Sequence, residues 1–135
     1  RRVLFRSQLN ISELVHVVNP DAIVATSGEI VPLIKSAKVL ICIGMSSSIV
    51  EAQILGKPVV IVPGIDYNWG IPSILKTKSC IISSTDNLSE NLNRLLNDVN
   101  FRSSVLFEAR AFLKQLISFQ GMASQKLYKF LIESE

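Results

Sequence analysis

The sequence is poor in the groups that most often carry acid–base, covalent or metal chemistry. It has one histidine, His16, and two cysteines, Cys42 and Cys80, in 135 residues. A single histidine in a helix-like stretch cannot assemble a Ser-His-Asp set. It reads as an exposed or half-buried helix residue rather than a base. No spacing of His, Cys, Asp and Glu has a metal-ligand pattern, so neither a metal nor a cofactor is expected. Both cysteines lie inside strand-like apolar runs, which points to buried, reduced thiols and a cytoplasmic protein. Long hydrophobic runs are missing too. Stretches such as residues 39–43 fall far short of the roughly 20 residues that cross a bilayer, so no transmembrane segment is expected. No basic stretch leads into an apolar run with a small-residue cleavage site, so no signal peptide is read either.

Charge of one sign is also scarce. The net charge of +3 comes from 14 basic and 11 acidic residues. Arg1, Arg2 and Arg6 account for the whole excess, because without them 11 basic residues face 11 acidic ones. These three lie in "RRVLFRS". Written back as AGA CGT GTG CTC TTC CGA TCT, that stretch resembles the end of a short-read sequencing adapter. Residues 1–7 are therefore expected to be translated adapter, with residues 8–135 as one native domain whose reading frame is cut at its 5′ end; an ordinary basic N-terminus is the alternative. No basic patch then remains to bind nucleic acid.

What is present is apolar: 48% hydrophobic against 19% charged residues, a globular composition. Residues 11–18 read as a short helix ended by Asn19-Pro20-Asp21. Residues 22–25 read as a strand. Ser27 is placed to cap a helix over residues 28–36, with Ile30, Leu33 and Ile34 on one face and Pro32 tolerated in its first turns. Residues 39–43 and 59–62 are hydrophobic throughout, as strands covered on both faces require. Residues 71–76 form a short helix and 80–82 another strand. Asp86 is placed to cap a helix over 88–96 with Leu88, Leu92, Leu95 and Leu96 as its stripe. Helices over 101–118 and 124–133 follow, separated by Gly121. Alternating strands and helices with continuous apolar strands specify an α/β fold: a parallel sheet with helices on both faces.

The chemistry concentrates in "CIGMSSSIVEAQILGKPVVIVPG", residues 42–64. A strand breaks at Gly44, three serines follow, and a short helix carries Glu51 before Gly56 and Pro58 close it. Ligands of parallel sheets gather beyond the carboxyl ends of strands. The first N–H groups of a helix there favour phosphate, with small side chains permitting close approach. Ser46, Ser47 and Ser48 add hydroxyls. Glu51, three residues past Ser48, either completes a capping box or holds a ribose diol below the phosphates.

"GMSSSIVEAQILGKPVVIVP" resembles the nucleotide-binding segment in the C-terminal half of GT-B-fold glycosyltransferases and the related sugar-nucleotide 2-epimerases. "SGEIVPLIKSAKVLICIG" is similar to the helix and strand that precede it, although Lys38 stands where the family usually has aspartate. "FQGMASQKLYKFLIES" is similar to the ending of several surface-polysaccharide enzymes, among them CDP-glycerol-type glycerophosphotransferases. The resemblance covers most of residues 20–134 and is sharp over 39–63. It implies a Rossmann-like three-layer domain in which Gly44, Ser46, Ser47 and Ser48 bind a diphosphate and Glu51 binds the ribose. Gly56 and Pro58 form the turn. Thr26 and Ser27 would contact the nucleobase, a plain N-cap being the alternative. Asp66 and Asn68 would contact the donor sugar beside Tyr67 or Trp69, a solvated turn being the alternative.

The implied ligand is a nucleoside-diphosphate sugar, most simply UDP-linked. The implied activity is glycosyl transfer in surface-polysaccharide or glycolipid synthesis, in the cytoplasm or at the inner face of the membrane. Acceptor site and catalytic base would lie in the missing N-terminal domain. Sugar-nucleotide epimerisation or glycerophosphate transfer is the nearest rival, and a non-catalytic α/β module the more distant one.

Overall fold

The computed structural model describes residues 11–25, 27–64, 73–117 and 121–133. A parallel sheet carries the fold: β1 (Leu40–Ile43), β2 (Val59–Val62) and β3 (Ile81–Ile82) stand in the order β1-β2-β3. Leu40 pairs with Val59 and Cys42 with Ile61, while Val60 pairs with Ile81. Six α-helices accompany it among the described residues: α1 (Ile11–Val18), α2 (Ile30–Ser36), α3 (Ser48–Ile54), α4 (Leu88–Asn97), α5 (Val99–Leu116) and α6 (Ala123–Glu133). A short 3-10 helix, Ser73–Lys76, lies between β2 and β3.

Strand alternation divides the core in two. On one face Cys42, Val59, Ile61 and Cys80 meet Ile34 of α2, Ile49 and Ala52 of α3, and Phe112 of α5. On the other, Val60 meets Leu95 of α4 and Val105 of α5, flanked by Ile81, Leu88, Leu92 and Phe101. The 18 residues of α5 reach about 27 Å, which lets its first half serve one face and its second half the other. The result is an α/β domain in which helices cover a three-stranded parallel sheet on both faces, an arrangement compatible with a Rossmann-like fold. Among the described residues, no helix is long and apolar enough to cross a membrane.

Helix ends follow local chemistry. Gly56 (φ +68°) ends α3 in a Schellman motif: Lys57 N–H donates to Ala52 O (2.8 Å) and Gly56 N–H to Gln53 O (3.0 Å). Pro58 then bars continuation. Asp98 caps α5 by accepting from Phe101 N–H at 2.9 Å, while its own N–H donates to Arg94 O at 2.8 Å, joining α4 and α5 at one residue. Arg94 lies over the Phe101 ring, 3.9 Å from its centre.

Several expectations are corrected. Residues 22–25 are paired with no strand among the described residues, contrary to expectation, and Ile23 is 94% exposed. The first flanking residue of α2 is Glu29 rather than Ser27, and that of α4 is Asn87 rather than Asp86; neither helix has a side-chain cap. The stripe on α4 is narrower than expected, because Leu96 remains 49% exposed. β2 is buried on both faces, but β1 is not. Only Cys42 of β1 is buried, while Ile41 is 44% and Ile43 81% exposed. An edge strand has no neighbour to cover it on one side, and apolar sequence alone does not tell an edge from a centre.

Candidate functional site

The carboxyl ends of β1 and β2 meet at two glycines. Gly44 takes a left-handed conformation (φ +71°) and donates to Val62 O at 2.8 Å, turning the chain out of β1 while still tied to β2. A Cβ placed on Gly64 would stand 3.5 Å from Gly44 Cα, so the two loops touch backbone to backbone.

The three serines behind Gly44 have three different roles. Ser48 is buried, its Oγ 2.7 Å from Ser46 Oγ and 3.7 Å from Cys42 Sγ. Ser46 Oγ also accepts from Ser48 N–H at 3.3 Å. Ser47 is exposed at the N-cap and makes no cap hydrogen bond. The first turn of α3 is already served, since Ile49 N–H donates to Ser46 O and Val50 N–H to Ser47 O at 3.2 and 3.1 Å. The open donors therefore sit earlier than helix geometry alone places them. The N–H groups of Met45, Ser46 and Ser47 have no partner among the described residues. Together with the Ser47 hydroxyl, they are a short run of consecutive donors whose chemistry suits an anion.

Glu51 stands half-buried in the first turn of α3. No capping box forms: Ser48 N–H goes to Ser46 Oγ, and Glu51 N–H goes to Ser47 O at 3.3 Å. The Glu51 carboxylate has no hydrogen-bond partner among the described residues. It carries no structural duty there and can accept two hydrogen bonds from a ligand diol.

Ser27 is exposed, and Thr26, Asp66 and Asn68 lie outside the described residues, as do Tyr67 and Trp69. His16 Nε2 bonds Ala22 O at 2.9 Å, a tie between α1 and the following segment. Cys42 and Cys80 are both buried and free, and burial pushes the Cys80 thiol up.

One side chain that sequence reasoning missed is Gln53, which is 3% exposed. Its Nε2 donates to Ser79 O at 3.0 Å and to Cys80 Sγ at 3.2 Å, binding α3 to the chain entering β3. Oε1 has no partner among the described residues. A glutamine within an otherwise apolar helical face was the available signal. Another polar corner follows β3, where Asn91 Nδ2 donates to Ser83 Oγ at 3.0 Å and Ser83 Oγ to Ser84 O at 2.9 Å.

The fold is an α/β domain with a parallel sheet, and polar residues stand beyond the carboxyl ends of β1 and β3. No protein-family model, curated protein or solved structure matches the chain.

Proposed function

We propose that this chain is the donor-binding half of a glycosyltransferase that uses a nucleoside-diphosphate sugar in surface-polysaccharide or glycolipid synthesis. The observation that carries the reading is the Glu51 carboxylate, half-buried, unpartnered among the described residues, and one helical turn beyond the free N–H groups of Met45, Ser46 and Ser47. A nucleotide diphosphate offers an anion for the donors and a ribose diol for the carboxylate. The donors hold the departing diphosphate as negative charge develops on it, which is the electrostatic share of transfer. The glycosyl acceptor and catalytic base belong to an N-terminal partner domain of the same protein.

Titration calorimetry with UDP, CDP and GDP tests the proposal. UDP is expected to bind, and Glu51→Ala to weaken binding by about 1–3 kcal/mol, the scale of a lost hydrogen bond to a charged group. Fold stability is expected to move by less than about 0.5 kcal/mol, since the carboxylate makes no bond within the described fold. Failure of all three nucleotides to bind the wild-type protein ends the proposal. Unchanged affinity in Glu51→Ala removes Glu51 from it.

A further inference from the structure

Among the described residues nothing pairs with the outer edge of β1, and the chain supplies a segment of matching dimensions to close it. Leu40 N–H donates to Pro58 O and Gly44 N–H to Val62 O, so alternate residues of β1 face β2. Ile41 and Ile43 therefore turn their backbone groups to the free edge, where nothing pairs with them among the described residues.

The unit that runs from β1 to β2 has a four-residue strand, a four-residue loop, a seven-residue helix, a four-residue return and a four-residue strand. The residues before β1 repeat that plan. Four apolar residues, 22–25, are followed by four residues, by the seven residues of α2, by a return of three, and then by β1. Ile34 of α2 and Ile49 and Ala52 of α3 enter the same core cluster, so both helices lie on one face of the sheet. Strand–helix–strand crossovers to a parallel neighbour are right-handed in about 98% of cases. Two such crossovers on one face must step across the sheet in the same direction. The step through α3 goes from β1 to β2; the step through α2 must then begin on the far side of β1, at its open edge.

We propose that residues 22–25 dock there as a fourth parallel strand, with Ile23 beside Ile41 and Val24 beside Cys42. In this register Ile23 covers Ile41 on one face, and Val24 extends the core around Cys42 on the other. The undocked arrangement leaves Ile23 94% exposed, the apolar surface that docking would remove from water. The inference stands apart from the nucleotide proposal, since it concerns sheet completion alone.

Residue-resolved amide hydrogen exchange on the full chain tests it. Docking is expected to slow the Ile41 and Ile43 amides by about a hundredfold or more relative to free peptide rates, with protection unchanged on tenfold dilution. Val24→Pro, which removes an N–H that the docked strand would donate, is expected to abolish that protection while Leu40 and Cys42 stay protected. Free exchange of Ile41 and Ile43 in the wild-type chain overturns the proposal. So does protection that survives Val24→Pro, and so does protection lost on dilution, which would assign the edge to a second copy.

Discussion

At the scale of single residues, three adjacent serines show how far side-chain type is from side-chain role. Ser46, Ser47 and Ser48 are alike in sequence, yet one accepts a backbone N–H, one is exposed, and one is buried against Cys42. Their place at a strand end was legible from Gly44 and the helical pattern that follows. The inward aim of Ser48 was not, because it depends on where Cys42 falls on the neighbouring sheet face. Cys80 offers a test at the same scale. Burial raises its thiol above the ordinary 9.0, opposed by hydrogen bonds with Ser79 and Gln53 and assisted by the nearby Cys42. The unfolded chain loses this proton first, so above about pH 9 the folded state binds more protons and stability falls as pH rises. Urea unfolding at pH 8 and pH 10 is expected to show that fall in the wild-type chain and a smaller one in Cys80→Ala. Equal falls would mean that the thiol is not shielded.

At the scale of elements, helix and strand type were legible while their ends and covers were not. All six helical stretches were visible as apolar periodicity or capping chemistry, and Gly56-Lys57-Pro58 marked the end of α3 because a Schellman turn is local. The starts were less legible, because Ser and Asp residues bid for several neighbouring turns. Asp86 was the expected cap of α4, yet the functioning cap is Asp98 on α5. Asp98→Ala is therefore expected to destabilise the protein by about 1 kcal/mol. Asp86→Ala should stay within about 0.5 kcal/mol. Chemical denaturation distinguishes the two, and equal losses would contradict the assigned cap.

At the scale of the whole molecule, the parallel sheet followed from continuous apolar runs that alternate with helical ones, the pattern of strand–helix–strand units. Which strand lies at the centre did not follow. β1 and β2 read alike, but β2 is enclosed between two core clusters while β1 keeps an exposed face. The cluster over Val60 depends on Leu95, which is fully buried, whereas Leu96 is half in solvent. Leu95→Ala is expected to cost about 2–5 kcal/mol, and Leu96→Ala under about 1 kcal/mol. Thermal or urea unfolding measures both, and similar costs would mean that α4 packs on a different face.

The sequence by itself determined the class of fold, the reduced thiols, and the Gly-Ser corner with Glu51 behind it, because each rests on periodicity, turn chemistry or spacing within a few residues. Only the tertiary structure decided that Ser48 faces inward, that no capping box occupies Glu51, that Gln53 ties α3 to the chain entering β3, and that β1 lies at the edge of the sheet among the described residues. These depend on contacts between residues distant in the chain, and burial there is set by what neighbours supply rather than by the residue's own character.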